Sequence, residues 1–346
     1  MGLSSTIKIL EVLMACYHPL RAIWYGEYTD SGKKKYKIIG DKTPISKKAF
    51  LPAIETEEIP CGKCIGCRLE YSRKWAVRCM LEAKQYEHNQ FITLTYDEDH
   101  VTWKMGANRE TGEIEPVTTL IPEDLTKFMK DLRRYYKYHY HHDNIRFYAC
   151  GEYGSHTHRA HYHIIAFNLP IEDKEKFFIN KSGEQVYISE SIQKIWGKGQ
   201  VSIGDVTWNS AAYVARYVMK KIKGKESERM YELLGIEPEF VRMSRKPGIA
   251  WQYYDENKDK IYECDEIIFT NKDGKGQKIK PCKYYDRLYD LENPEFMQAL
   301  KQKRKLEAEY SMAIQLGKTS LSKKEYLEMK EQNKQRQIDK LKRSLA

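Results

Sequence analysis

No run of about 18 apolar residues occurs anywhere in the 346-residue chain, so no segment is long and apolar enough to cross a bilayer as a helix. No cleavable leader is expected either: Leu13-Met14-Ala15-Cys16 has the outline of a lipoprotein cleavage box, but Lys8 and Glu11 interrupt the apolar stretch that must precede it. Gly2 to Thr6 fits a myristoylation pattern too short to carry weight. These absences point to a cytosolic protein. No internal repeat is evident. An acidic excess is absent too, since Lys and Arg outnumber Asp and Glu to give a formal net charge of +10. That balance suits a polyanionic partner, though a basic chain alone does not establish one.

What is present bounds the architecture. A chain of 346 residues holds one substantial core with appendages, because single cores stop growing at roughly 250 to 300 residues. Three segments are expected: a Cys-rich N-terminal region over residues 1–85, a catalytic core over 86–225, and an extension over 226–346, loop-rich at first and a charged, solvated helical tail from 294 to 343. The N-terminal segment also holds a Lys-rich, hairpin-like stretch around Ser31-Gly32-Lys33.

The core alternates strands and helices. Phe91-Ile92-Thr93-Leu94-Thr95-Tyr96 and Asn144 to Cys150 read as strands. Between them Leu125, Phe128, Met129, Leu132, Tyr135 and Tyr136 mark one apolar face of a helix that Pro122, Glu123 and Asp124 begin. His161 to Phe167 and Gln200 to Thr207 are further strands, and Asn209 or Ser210 can cap a helix running to about Ile222. The hairpin-like neighbours predict an α+β domain on a central antiparallel sheet flanked by helices.

Three elements carry chemistry. In a strand, His161 and His163 face one way while Tyr162 and Ile164 face the other, so the two imidazoles can chelate a divalent ion. Other His-x-His pairs do not offer this. His139 and His141 end a helix, where positions two apart diverge by about 200°, and His156 and His158 lie in a polar loop. Gly151-Glu152-Tyr153-Gly154 ends the preceding strand, and a hairpin back to His161 would add the Glu152 carboxylate. Two nitrogens and a carboxylate suit Mg²⁺ or Mn²⁺ handling phosphate, while Zn²⁺ or Fe²⁺ also fit. Finally, Ala211, Val214, Ala215, Val218 and Ile222 form an apolar helical stripe, with Tyr213, Tyr217, Arg216 and Lys220 on the other side. Two phenols one turn apart, each with a cation three residues later, are what two interchangeable nucleophiles need. Spacing alone is cheap among 26 tyrosines, since Tyr136 with Tyr140 and Tyr285 with Tyr289 share it.

The order of Phe91 to Tyr96, His161-Tyr162-His163, then Tyr213 with Tyr217 resembles the three motifs of the HUH endonucleases (His, bulky hydrophobic, His), and among them the two-tyrosine rolling-circle initiators. Pro60-Cys61-Gly62-Lys63-Cys64-Ile65-Gly66-Cys67-Arg68 and Ser244-Arg245-Lys246-Pro247-Gly248-Ile249 are similar to stretches in the replication initiators of gokushoviruses, phages of the microvirus group. The likeness covers most of residues 16–250. It implies a ferredoxin- or RRM-like HUH fold, tyrosine attack on an origin phosphodiester in single-stranded DNA, and Glu152 as metal ligand; Lys220 or Arg216 can favour the phenolate and neutralise phosphate. It further implies a 3′ hydroxyl primer, host polymerase and helicase as partners, and the cytoplasm of a bacterial host as location. Exchanging one phosphodiester for a phosphotyrosine diester needs no ATP. A single-tyrosine transposase or relaxase, and a zinc-stabilised DNA-binding module without catalysis, are the alternatives; a His-x-His-Glu iron oxygenase suits a basic chain poorly.

Eight cysteines in a chain without a leader favour metal over disulfides. Cys61, Cys64 and Cys67 offer three thiolates, and Cys16 or His18 can complete a tetrahedral Zn²⁺ site. Iron–sulfur ligation and ordinary buried thiols remain open at this level.

Overall fold

The computed structural model describes residues 16–30, 34–39, 55–107, 111–154, 157–180, 183–217, 227–270 and 276–344. Two compact units emerge, one from Met1–Glu70 with Arg287–Ala346 and one from Tyr71–Asp286.

The larger unit is built on a seven-stranded antiparallel sheet. In chain order its strands are β4 (Asn89–Thr95), β7 (Arg146–Tyr153), β8 (Ala160–Phe167), β9 (Glu175–Ile179), β10 (Gln185–Ile188), β11 (Val201–Asp205) and β12 (Phe240–Met243), and in space they run β12-β7-β8-β4-β11-β10-β9. Small ribbons β5 (Trp103–Ala107) with β6 (Ile114–Thr118), and β13 (Ile267–Thr270) with β14 (Gly276–Ile279), stand apart from it. The expected α+β class with a large antiparallel sheet and flanking helices is therefore found. The described residues between 226 and 290 are not the loops expected of them. They form helices Ser227–Leu233, Trp251–Cys264 and Lys283–Glu292, two strands of a ribbon, and the edge strand β12.

Strand alternation decides what each sheet face does. On β4, Ile92 and Leu94 are buried on one face while Phe91, Thr93 and Thr95 occupy the other. The first face continues through Tyr162, Ile164 and Ala166 of β8 and Val201 and Ile203 of β11, and buries against the helix Pro122–Tyr140 in one hydrophobic core. That helix buries Leu125, Phe128, Met129, Leu132 and Tyr136, five of the six positions expected. Its start has no side-chain cap of its own. Instead the Tyr162 hydroxyl accepts from the Ile121 amide at 3.0 Å and donates to the Ile121 carbonyl at 2.8 Å. The Tyr96 hydroxyl lies 2.7 Å from it and donates to Asp124. Burial pushes both phenols well above their ordinary range, so they stay protonated donors. Tyr162→Phe keeps the ring but strands the Ile121 amide. The expected cost is about 1 to 3 kcal/mol, read as a lower midpoint in thermal unfolding.

The smaller unit contains a three-stranded antiparallel sheet, β2-β1-β3, from β1 (Leu20–Tyr28), β2 (Lys34–Ile39) and β3 (Glu55–Ile59). β1 and β2 pair as a hairpin would, while its tip at Ser31-Gly32-Lys33 lies outside the described residues, as do Gly2 to Thr6 and Leu13 to Ala15. The tail is helical as expected, over Pro294–Leu316 and Lys323–Ser344. It is not simply solvated, because Met297, Leu300, Tyr326 and Leu327 are buried.

Candidate active site

The second face of the large sheet carries the candidate site. β7 and β8 pair so that Glu152 stands opposite His161 and Cys150 opposite His163, and β8 pairs with β4 so that His163 stands opposite Thr93. Because side chains alternate, Glu152, His161, His163 and Thr93 share this face. Glu152 Oε1 lies 2.8 Å from His161 Nε2 and 3.0 Å from His163 Nε2. One ligand atom from each of the three residues falls within 4.8 Å of the others. The hairpin inferred from sequence is what brings them together. Gly151 makes room for it on the reverse face, since a Cβ there would stand 2.7 Å from the Phe240 ring of β12.

Electrostatics keep Glu152 charged. Burial opposes a charge on Glu152, but the hydrogen bonds from His161 and His163 outweigh it and keep the carboxyl below its usual range. The far nitrogens are fixed as well: His161 Nδ1 lies 3.0 Å from the Arg159 carbonyl and His163 Nδ1 lies 2.9 Å from Thr93 Oγ1. With Nδ1 engaged, Nε2 of each ring is the atom turned toward Glu152, the arrangement a metal-binding imidazole needs. An ion taken up here replaces a ring proton at Nε2, so the donor set of two imidazole nitrogens and one carboxylate fits a divalent cation.

Thr93 is a site residue that the strand pattern alone does not reveal. Its signal is conditional: once β4 is placed beside β8 in register, the alternation puts its hydroxyl beside His163. Thr93→Val keeps shape but removes this hydrogen bond. The expected result is Mn²⁺ affinity weaker by roughly 10- to 100-fold, measured by calorimetric titration.

A third element closes over this face. The helix Trp208–Tyr217 buries Ala211, Val214 and Ala215, the described part of the expected apolar stripe. Its start is set by Thr207 with Ser210 as its partner, and the Asn209 side chain lies outside the described residues. The Ser210 amide donates to Thr207 Oγ1 at 3.1 Å, and the Thr207 amide donates to Ser210 Oγ at 2.8 Å. This is the reciprocal bonding of a capping box, with the cap two to three residues earlier than expected. Ser72 Oγ donates to the Ala212 carbonyl at 3.3 Å, tying this helix to the one ending at Ala83. Held this way, Tyr213 sets its ring edge-on to His163 at 5.1 Å between centroids and edge-on to Phe91 at 6.3 Å. Phe91 in turn stacks on His163, nearly parallel at 5.5 Å. Tyr213 is 36% exposed, so the ring meets the imidazole without being sealed from solvent. Arg216 and Tyr217 occupy the last turn of the helix, and Lys220, Val218 and Ile222 lie outside the described residues.

The other tyrosine pairs with this spacing behave differently. Tyr136 and Tyr285 are buried, and burial pushes their phenols up out of reach of easy ionisation. The other His-x-His pairs also separate. His139 lies in the last turn of its helix and His141 is its left-handed C-cap, while His156 lies outside the described residues. Cys16, Cys61, Cys64 and Cys67 do meet, in the smaller unit, with Cys16 rather than His18 as the fourth member. Among the described residues no helix is long and apolar enough to cross a membrane.

With this geometry in place the likenesses to known proteins take on meaning. A family model described as replication-associated protein ORF2/G2P matches residues 89–222, a span that begins at β4 and includes Glu152, both histidines and the tyrosine helix. The chain is 36% identical to the replication-associated protein ORF2 of Spiroplasma virus 4 over 79% of its own length and 81% of that protein's. It is 29% identical to the replication-associated protein VP4 of Bdellovibrio phage phiMH2K over 84% of its length and 85% of the relative's. The replication-associated protein ORF4 of Chlamydia phage 1 is 34% identical over 47% of this chain and 38% of its own. No solved structure matches the chain.

Proposed function

The chain belongs to the replication-associated proteins of gokushovirus-like microviruses, and from that premise we propose that it initiates rolling-circle replication as an HUH endonuclease, nicking single-stranded origin DNA with a tyrosine. One juxtaposition carries the reading: the Tyr213 ring stands 5.1 Å from the ring of His163, one of the three residues whose donor atoms converge. A structural tyrosine has no need of a carboxylate–imidazole cage beside it. A nucleophile directed at a phosphodiester gains from one, because an ion held there would polarise the phosphate.

In this reading Tyr213 Oη attacks the scissile phosphorus, the Oη–P bond forms, and the P–O3′ bond breaks. The phenol gives up its proton and the departing 3′ oxygen takes one. Free tyrosine titrates near pH 10, so the phenol gains from nearby positive charge. Arg216, three residues on from Tyr213, and Lys220, three on from Tyr217, are the side chains assigned to supply it and to neutralise phosphate. Glu152, His161 and His163 would hold a Mg²⁺ or Mn²⁺ ion, which would polarise the scissile phosphate and stabilise charge on the leaving 3′ oxygen. The product is a diester like the substrate, so nicking and joining run without ATP. Tyr217, one turn along, is assigned the second cut that lets one protein complete successive rounds and release a closed circle. The exposed 3′ hydroxyl primes a host polymerase working with a host helicase in the bacterial cytoplasm.

The test uses the full chain and single-stranded DNA tiled across the genome that encodes it, with Mn²⁺ or EDTA, resolved on a denaturing gel. The expected result is a nuclease-sensitive protein–DNA adduct on one tile, formed only with the ion. Tight binding to DNA by folded protein with no adduct or nick on any tile would overturn the enzymatic reading in favour of a DNA-binding module.

A further inference from the structure

We infer that Cys16, Cys61, Cys64 and Cys67 form a closed tetrathiolate site for one structural Zn²⁺ ion, independent of the candidate active site. The four cysteines come from three places that the fold draws together. Cys16 precedes β1 and Cys61 follows β3, and because these strands pair antiparallel with Leu20 opposite Ile59, the start of one lies beside the end of the other. Cys64 immediately precedes the helix Ile65–Ala83 and Cys67 sits in its first turn.

The sulfur geometry is that of a cage for a single ion. All four Sγ atoms lie within 4.8 Å of one another, and Cys61 and Cys67 are 4.0 Å apart. Four thiolates around zinc at about 2.3 Å place neighbouring sulfurs about 3.8 Å apart. A disulfide requires about 2.05 Å, and all four cysteines are free. A cluster of several irons and sulfides occupies more room than this spacing leaves. With four thiolates and no open position, the donor set is that of a structural rather than a catalytic centre.

The backbone is arranged for sulfur that carries charge. Tyr17 and Cys67 direct their amides at Cys64 Sγ at 3.3 and 3.5 Å, and Cys61 directs its amide at Cys16 Sγ at 3.2 Å. Lys63 and Cys64 aim theirs at Cys61 Sγ at 3.4 and 3.3 Å. Neutral thiols are weak acceptors and do not call for so many donors, whereas thiolates do. Each cysteine releases its proton as its sulfur binds the ion. Of the two residues that sequence allows as fourth ligand, His18 is already engaged: its Nε2 lies 2.5 Å from Glu331 Oε2 in the tail helix Lys323–Ser344. The other carboxylate oxygen of Glu331 accepts from the Ile65 amide at 3.4 Å. The tail is thus fastened to both sides of the cysteine knuckle.

The unit needs such a staple. Among its described residues the buried apolar side chains besides Cys16 and Cys64 are Ala22, Ile23, Met297, Leu300, Tyr326 and Leu327. Cores this thin are commonly completed by a bound metal.

The test is zinc content of the purified full chain by elemental mass spectrometry, with X-ray absorption at the zinc edge. About one zinc per chain is expected, surrounded only by sulfur at about 2.3 Å. The metal is retained in His161→Ala/His163→Ala, which separates it from any ion at the candidate active site, and in His18→Ala. Cys16→Ser and Cys61→Ser lose it and expose the tail to limited proteolysis. If those variants do not fold, the absorption spectrum of the unaltered protein still decides. Folded protein without zinc whose four thiols alkylate freely or are paired as disulfides would overturn the inference, as would nitrogen or oxygen ligands, or zinc that leaves with the two histidines.

Discussion

Tyr213→Phe is expected to abolish the covalent protein–DNA adduct while leaving DNA binding and folding intact. The substitution removes one oxygen. The phenylalanine ring still meets His163 and Phe91 edge-on, so the packing that places this helix is retained. What disappears is the atom that would bond to phosphorus. Losing a covalent nucleophile costs on the order of 10⁴- to 10⁶-fold in rate where the remaining groups act only through it. The measurement is adduct formation on the reactive DNA tile, in parallel with binding by anisotropy. Wild-type levels of adduct in Tyr213→Phe that vanish in Tyr217→Phe would remove Tyr213 from the role and leave Tyr217 to carry it. Loss only in Tyr213→Phe/Tyr217→Phe would assign both phenols as interchangeable.

Glu152→Gln is expected to have the second large effect, through the ion. The carboxylate is the single anionic donor of the cage, and its substitution leaves two neutral imidazoles beside an amide. Ion affinity falls by more than about 100-fold, beyond the loss expected for a supporting residue such as Thr93, and adduct formation falls with it unless Mn²⁺ is raised to compensate. The same variant has a signature without any metal. In EDTA, Glu152 is buried yet held below the usual carboxylate range because the His161 and His163 hydrogen bonds outweigh the burial. Its folded pKa is depressed, so the stability it contributes is present above the unfolded value, near pH 4.3, and is lost as pH falls through the folded value. Thermal midpoints measured from about pH 6 down to about pH 3 should fall more steeply for the unaltered protein than for Glu152→Gln. Parallel curves would mean that the carboxylate is not held by the histidines in solution.

Local pattern reported most of what local physics controls. The period of two in His161-Tyr162-His163 and in Phe91 to Thr95 set which side chains go to the core and which to the site, and the helix beginning at Pro122 buries the face its spacing marks. The hairpin pairing of Glu152 with His161 was legible because its strands are neighbours in sequence. Where pattern misled, the competing interaction was local but finer or distant but stronger. Thr207 caps the tyrosine helix because its backbone and Ser210 can satisfy each other, a choice that composition does not separate from Asn209. Phe240 to Met243 looked like loop because a four-residue edge strand has too few residues to show alternation, and only the exposed edge of β7 recruits it.

The sequence by itself determined the residue types and their faces: two imidazoles on one side of a strand, a phenol off the apolar stripe of a helix, and three cysteines at two-residue gaps. Those follow from backbone periodicity, which each segment carries alone. The tertiary structure decided the partners. Thr93 reaches His163 across 70 residues, Cys16 reaches the other thiols across 45, and Glu331 reaches His18 across 313. Such contacts depend on which strand edge and which helix end meet in the packed chain, and that meeting is settled by burial summed over the whole molecule rather than by any segment's own preference.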